Sequence, residues 1–181
     1  MIITIRNDRY IRFRLLEQAD AGKLIVYFDS LSDETRSRFG PHPFDEATVY
    51  QFCQHPDNTI KRYIAIEPSE EKIIAYMLLR KGMTEGDHQR YAARNQFFDQ
   101  HNIVTFAPSV ADRWQSSGIG SAMYNCIENE LRSKGVKQIV LWGGVQATNE
   151  KAVGFYKKHG YRLAGSFWHD EKDNYDMVKW L

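Results

Sequence analysis

The sequence predicts a mixed α/β fold in a single domain that spans residues 1–181. A chain of 181 residues can bury one sizeable hydrophobic core and is short for two. Hydrophobic residues make up 43% of it and aromatic residues 13%, which is typical of an ordered globular protein. Stretches of alternating apolar residues are interspersed with stretches of helical spacing, so we expect about seven strands in a mixed, twisted sheet with helices on both faces.

The first half of the chain is expected to contain an N-terminal hairpin or long edge strand, three helices and a second hairpin. Asn7-Asp8 indicates the N-terminal turn, because it separates two stretches of alternating apolar residues. The strand at 72–80 is apolar on both faces and is therefore expected to be central. The predicted segments are, in order, strand 10–15, helix 17–30, a helix from Ser32 that stops at the GPHP sequence of 40–43, helix 45–54, and strands 62–67 and 72–80.

The second half is expected to alternate strands and helices. Its longest helix places Ile119, Met123, Ile127 and Leu131 on one face and ends at Gly135, since glycine commonly caps a helix at its C-terminus. The predicted segments are a helix within 87–100, strand 102–110, the long helix, strand 137–142, helix 149–159, and strands 161–167 and 175–180. This order places most strands in one sheet.

Charge and cysteine content exclude several classes of protein. Twenty-four basic and 23 acidic residues leave a net charge of +1, so no general field attracts nucleic acid or an anionic membrane. Cys53 and Cys126 form no CxxC pair, and the six histidines show no metal-binding spacing. The chain has neither a secretory signal pattern nor the roughly 18 apolar residues that span a bilayer. We therefore expect a cytoplasmic protein without a metal, a membrane anchor or a nucleic-acid partner.

One glycine-rich segment points to a ligand. The sequence QSSGIGS follows the strand that ends at Val110 and opens the long helix. Free N–H groups and the helix dipole form an anion site there, and glycines let a phosphate approach the backbone. A P-loop would need a lysine that is missing, and the dinucleotide pattern fails because Met123 replaces its third glycine. A pyrophosphate is the expected occupant, and nucleotide binding is the alternative that a ligand comparison must decide.

Two motifs in this order resemble the GNAT superfamily of acyl-CoA-dependent N-acetyltransferases. The segment 115–120 matches the family pattern [RQ]xxGx[GA] within a first motif at 110–135. The segment 149–161 is similar to the family element NxxAxxFYxxxGF within a second motif at 137–161. The resemblance implies a GNAT-like domain with a splayed central strand pair, and acetyl transfer from acetyl-CoA to a primary amine of a small molecule or protein.

The resemblance also implies residue roles. Backbone amides of the turn would hold the pyrophosphate, the backbone at Val110 would bond the pantetheine arm, and Asn149 would contact the arm or its phosphate end. Tyr156 would lie near the thioester sulfur and act as the general acid. The expected cofactor-binding residues are Val110, Gln115, Ser116, Ser117, Gly118, Ile119, Gly120, Ser121, Asn149 and Tyr156.

Several alternatives stay open at this point. Asn149 can serve as a helix N-cap on the amide of Ala152, and Tyr156 can be a core aromatic. The strand at 102–110 contains no acid, so the general base is unassigned among water, Asp45, His42 and His169. The missing acid also admits a CoA-binding sensor with little catalysis. Segments 39–44 and 167–170 could line an acceptor pocket or be plain turns, and neither the acceptor nor a homodimer follows from the sequence.

Overall fold

The structure is a computed structural model that describes residues 1–5 and 9–181, so the predicted Asn7-Asp8 turn lies outside the described residues. It contains nine strands and six α-helices within those ranges. In chain order these are β1 Ile2–Thr4, β2 Tyr10–Leu15, α1 Ala21–Asp29, α2 Asp33–Ser37, α3 Glu46–Gln54, β3 Ile60–Glu67, β4 Lys72–Lys81, α4 Glu85–Ala92, β5 Ile103–Val110, α5 Ile119–Ser133, β6 Gln138–Leu141, β7 Val145–Gln146, α6 Glu150–Lys158, β8 Arg162–His169 and β9 Lys172–Trp180.

The fold class is confirmed, and the strand count of about seven is corrected to nine. The N-terminal segment forms two strands, β1 and β2, which pair antiparallel. The short strand β7 was not predicted, because two residues are too few to show a period. Val145 and Gln146 are recognisable as a strand only through their pairing with Tyr175 and Asn174 of β9.

The chain divides into two compact units. The first comprises Met1–Leu79 and Pro108–Ile127, and the second comprises Arg80–Ala107 and Glu128–Leu181. In the first unit, β1 pairs with β2 and β2 pairs antiparallel with β3. Its core includes Leu24 and Phe28 of α1, Val49 of α3 and Tyr76 of β4, all fully buried. The Ala111 N–H donates to the Ile74 carbonyl at 2.9 Å, which joins the end of β5 to β4 within this unit.

In the second unit, β5 pairs parallel with β6, and β9 pairs antiparallel with β6, β7 and β8. The registered β5–β6 pairs end at Phe106 and Leu141, whereas β5 itself continues to Val110. Tyr91 of α4 packs with residues of three strands and donates its hydroxyl to the Met177 carbonyl at 3.2 Å. The core cluster consists of Met83, Tyr91, Ile103, Val140 and Val178. The predicted insertion helix is thus part of this core.

The ends of the helices follow local chemistry. Side chains of Ser32, Asp45 and Thr84 accept hydrogen bonds from backbone N–H groups at the starts of α2, α3 and α4. The helix predicted within 87–100 is shorter than its apolar spacing suggested, since α4 ends at Ala92 and Asn95 has a φ of 57°. Asparagine tolerates this left-handed conformation, which terminates a helix. The pattern of Tyr91, Asn95 and Phe98 therefore does not continue as helix.

Candidate active site

The glycine-rich turn lies in the first unit, between β5 and α5. A 3-10 turn at Asp112–Trp114 leads into Ser116 and Gly118, whose φ angles are 60° and 91°. Only glycine adopts the second value without strain. The Ala122 N–H donates to the Gly118 carbonyl at 3.0 Å as α5 begins. Because the first N–H groups of a helix have no intrahelical acceptor, this turn has the backbone donors that an anion needs.

Side chains on either side tie the turn to its surroundings. Gln115 Nε2 donates to the Val110 carbonyl at 3.4 Å and to Thr35 Oγ1 at 3.2 Å. The Asp112 carboxylate accepts hydrogen bonds from the Ser32 N–H at 2.9 Å and from the Thr35 hydroxyl at 2.6 Å. Burial raises the pKa of Asp112, but its hydrogen bonds with Thr35 and Ser32 outweigh burial and lower that pKa overall. The turn is therefore fixed to the start of α2.

A hydroxyl pair next to Val110 was not found by sequence reasoning. The Tyr27 hydroxyl of α1 donates to Ser109 Oγ at 2.9 Å, and the two residues are 2% and 6% exposed. Burial raises the pKa of the Tyr27 phenol, so it stays protonated as a donor. The two residues are 82 positions apart, so no local pattern could link them.

A cavity of 630 Å³ opens beside this turn within the first unit. One side is formed by α1 through Val26 and Tyr27, another by the start of β4, and a third by Ala111–Trp114. Its volume falls within the usual range for small-molecule pockets. The predicted cofactor residues are not among those that line it, although Gln115 follows directly after Trp114. The cavity therefore adjoins the predicted phosphate-binding turn without containing it.

The predicted aromatic segment 39–44 forms part of a largely buried cluster, in which His42 and Phe44 are half-buried. We call this the His42 cluster, and it consists of the His42 imidazole surrounded by the rings of Phe28, Phe39, Phe44, Phe52 and Tyr76, with ring centroids 5.2–6.0 Å from that of His42. His42 Nδ1 lies 2.7 Å from the Pro43 carbonyl, which can only accept, so Nδ1 carries the proton. Nε2 then accepts from the Tyr76 hydroxyl at 3.2 Å. Burial lowers the pKa of His42, which keeps the ring neutral.

The three side chains considered as the base differ in their surroundings. Asp45 is exposed, and its carboxylate caps α3 by accepting from the Thr48 N–H at 2.8 Å. His169 has 70% of its side chain exposed and pairs with Asp170 at 3.5 Å. His42 alone of the three is fixed as a neutral ring with a basic nitrogen aimed at a buried hydroxyl. Because Tyr76 occupies that nitrogen and burial lowers its basicity, the geometry singles out none of the three as the base.

The other two predicted site residues belong to the second unit. Asn149 caps α6, since its side chain accepts from the Ala152 N–H at 3.2 Å, as the N-cap alternative predicted. Tyr156 is 6% exposed on the buried face of α6, and its ring lies 5.3 Å from those of Phe155 and Tyr161. Segment 167–170 is largely part of β8, which extends to His169.

Metal-binding groups and membrane-spanning helices are both absent from the described parts of the chain, residues 1–5 and 9–181. No group of three or more His, Cys, Asp or Glu side chains there is arranged to hold a metal ion. None of the helices there combines the length and apolar character needed to cross a membrane. Cys53 and Cys126 are both free thiols.

Comparisons with known proteins agree with this architecture. The sequence profile of the Acetyltransferase (GNAT) family matches residues 26–161. No curated protein sequence matches the chain. Among solved structures, the GNAT domain of S. lividans PAT has a TM-score of 0.78 at 18% identity, covering 100% of this chain and 96% of that one.

Two other solved structures are similar over nearly their full length. AAC(6')-Ib in complex with Parmomycin and AcetylCoA has a TM-score of 0.71 at 17% identity, covering 94% of this chain and 93% of that one. The ribosomal-protein-S5-alanine acetyltransferase from Vibrio fischeri has a TM-score of 0.72 at 16% identity, covering 94% of this chain and 92% of that one. At these identities the likeness concerns the fold. The family profile, which spans most of the chain and both motifs, shows that this protein belongs to the GNAT family of acetyltransferases.

Proposed function

We propose that this acyltransferase moves an acetyl group from acetyl-CoA to a primary amine by direct attack in a ternary complex. The observation that carries the proposal is the turn at 115–121, where Gly118 has a φ of 91° at the start of α5. Backbone donors at such a turn suit the pyrophosphate of CoA. AAC(6')-Ib, whose fold is similar, is known in complex with acetyl-CoA and with coenzyme A, which supports the same co-substrate here.

The chemistry requires few groups. A neutral amine attacks the thioester carbonyl, the C–N bond forms, and the C–S bond breaks to release a thiolate. A backbone N–H near Val110 is proposed to receive the developing oxyanion, and the Tyr156 phenol is proposed to protonate the thiolate. An ammonium acceptor must first lose a proton, to water or to one of Asp45, His42 and His169. The attacking nitrogen loses its second proton as the amide forms, and this proton returns the Tyr156 phenolate to phenol. The acceptor is proposed only as a primary amine, of a small molecule or a protein.

Ligand binding is the first test. Acetyl-CoA, ATP and NAD are compared as stabilisers of the wild-type protein in thermal unfolding. A ligand present at a hundred times its dissociation constant adds about 2.7 kcal/mol to the free energy of unfolding. We expect this stabilisation from acetyl-CoA alone. Stabilisation by ATP or NAD instead would contradict the proposal and favour nucleotide binding.

A glycine pair tests whether the turn itself holds the co-substrate. Gly118→Ala strains a residue with a φ of 91° in the turn, and Gly135→Ala strains one with a φ of 74° after the other end of α5. Each substitution should destabilise the fold by about 1–2 kcal/mol. We expect only Gly118→Ala to weaken acetyl-CoA binding in calorimetry. Equal affinities in the two variants would show that the turn is not the binding site.

Tyr156→Phe tests the proposed general acid. It should lower kcat by about 10²- to 10⁴-fold while the affinity for acetyl-CoA is unchanged. Tyr161→Phe is the matched control, because this neighbouring ring is also buried, at 3% exposure, and lies 5.3 Å from Tyr156. The measurement is release of CoA thiol with a panel of primary amines. Binding without turnover by any amine, together with no effect of Tyr156→Phe, would favour the sensor alternative.

A further inference from the structure

The loop that follows β6 occupies a place where α/β proteins bind ligands. The β5–β6 pair is parallel, and its last registered residues are Phe106 and Leu141. The Trp142 N–H still donates to the Phe106 carbonyl at 2.9 Å, and Gly143 and Gly144 come directly after it. Ligands in open α/β sheets bind at the carboxyl ends of parallel strands. By this rule the two glycines lie at the ligand-binding end of the parallel pair in the second unit.

This loop needs support from outside its own sequence. Gly143 and Gly144 have φ angles of 68° and 73°, and glycine backbone is the most permissive in proteins. Phe167 of β8 supports one side, since a Cβ on Gly144 would lie 2.8 Å from Phe167 Cε1. The Gly143 N–H is held on another side, where it donates to Asp87 Oδ1 at 3.0 Å.

Asp87 is itself held in one position. Its side chain is 1% exposed near the start of α4. It accepts a hydrogen bond from the Thr84 hydroxyl at 2.7 Å and forms an ion pair with Arg90. A buried carboxylate is stable only when its oxygens are occupied in this way. The hydrogen bond from the Gly143 N–H therefore has an acceptor that is held in place.

The helix that carries Asp87 is anchored by a second carboxylate. Asp176 of β9 is 0% exposed and pairs with Arg90 at 3.0 Å and with Arg94 at 2.7 Å. Arg94 also donates to the Ser166 carbonyl at 2.8 Å, and the Arg90 guanidinium lies 4.0 Å above the Phe167 ring. We call Asp87, Arg90, Arg94 and Asp176 the buried ion network. Both of its carboxylates pair with Arg90, and Asp87 is the one that also accepts the hydrogen bond from the loop.

We propose that Asp87 is a positioning residue of the reaction site, which fixes the Gly143-Gly144 loop at the carboxyl end of the parallel strands. This inference rests on the proposed function. The insertion between β4 and β5 thereby acquires a role beyond packing, because α4 presents this carboxylate to the loop. A misplacement of about 1 Å at such a site can reduce the rate about 100-fold.

The test compares three variants of the full chain with the wild type. Asp87→Ala removes the acceptor of the Gly143 N–H, and Asp87→Asn retains an oxygen at the same position. Asp176→Asn disturbs the same buried ion network without touching the loop. We expect Asp87→Ala to lower kcat/KM by about 10- to 100-fold, Asp87→Asn to recover most of that loss, and folded Asp176→Asn to stay near the wild-type value. If Asp87→Ala does not fold, Asp87→Ser takes its place. The serine side chain is one bond shorter than that of aspartate, so its hydroxyl does not reach the position of the Asp87 oxygen that accepts from the Gly143 N–H.

A second readout does not depend on activity. Hydrogen exchange of the Gly143 amide, followed by NMR, should accelerate in Asp87→Ala and stay slow in Asp87→Asn and Asp176→Asn. The inference is overturned if the Gly143 amide stays protected in Asp87→Ala, or if Asp87→Ala and Asp176→Asn lower kcat/KM equally. If the wild type binds no acetyl-CoA in calorimetry, the proposed function itself fails and the inference with it. An active wild type with indistinguishable variants overturns the inference alone.

Discussion

The two units bury polar side chains in opposite ways. In the first unit, the His42 cluster encloses a neutral imidazole between aromatic rings and satisfies both of its nitrogens with one hydrogen bond each. In the second unit, the buried ion network encloses two carboxylates at 1% and 0% exposure and matches them with two guanidinium groups. A neutral group needs only its hydrogen bonds when buried, whereas a charge also needs an opposite charge. The first unit should therefore respond to pH, and the second to loss of a charged partner.

The largest expected effect tests the second unit. Asp176→Ala leaves Arg90 and Arg94 without their shared carboxylate, and removing one partner of a buried ion pair costs about 3–5 kcal/mol. Urea denaturation at pH 7 measures this change in the free energy of unfolding. Glu70→Gln, which disrupts an exposed pair with Lys72, is the control and should leave stability close to the wild-type value. Similar results for the two variants would mean that burial of the ion network contributes little.

A smaller effect is expected in the first unit. His42→Leu leaves the proton of the Tyr76 hydroxyl without its acceptor, although the hydroxyl keeps its hydrogen bond with Arg62, and an unpaired buried donor costs about 1–3 kcal/mol. The double variant His42→Leu/Tyr76→Phe removes both partners, so it should cost less than the sum of the single variants. The same urea measurement gives all three values. Strict additivity would show that the hydrogen bond between the two side chains contributes nothing.

The smallest effect is a dependence on pH. Burial lowers the pKa of His42 in the folded protein. The positive charge of Arg62 acts in the same direction, while the hydrogen bond to the Pro43 carbonyl and the charge of Asp45 act against it. A lowered pKa means that the unfolded chain binds a proton first. The contribution of the neutral His42 ring to the free energy of unfolding is therefore complete above the unfolded pKa of about 6.5. It is lost as pH falls towards the folded pKa, by up to about 1.4 kcal/mol per pH unit.

Urea denaturation between pH 7.5 and 5.5 measures this dependence. The wild type should lose more stability over the range than His42→Gln does, because the variant lacks the titrating group. His169→Gln is the control, since 70% of the His169 side chain is exposed. A wild-type slope that persists unchanged in His42→Gln would place the titration elsewhere.

Much of the fold followed from local patterns. The face of α5 was predicted from Ile119, Met123, Ile127 and Leu131, and these residues are 1%, 0%, 1% and 5% exposed. The length of α4 was overestimated, because apolar spacing could not show that Asn95 leaves the helical conformation. The two-residue strand β7 is recognisable only from its pairing with β9. Local periods predict long elements well and short or interrupted ones poorly.

The sequence by itself determined the turn before α5 and the family of the protein, because each depends on residues close together in the chain. It offered the Asn149 cap only as one of two roles. Tertiary structure alone decided which distant side chains meet. Tyr27 reaches Ser109 across 82 positions, and Asp87 reaches Gly143 across 56. Such contacts arise when strands and helices pack, and no periodic or motif signal encodes them. The glycine-rich turn itself was therefore predicted from sequence, while the side chains that hold it, surround His42 and support the Gly143-Gly144 loop were not.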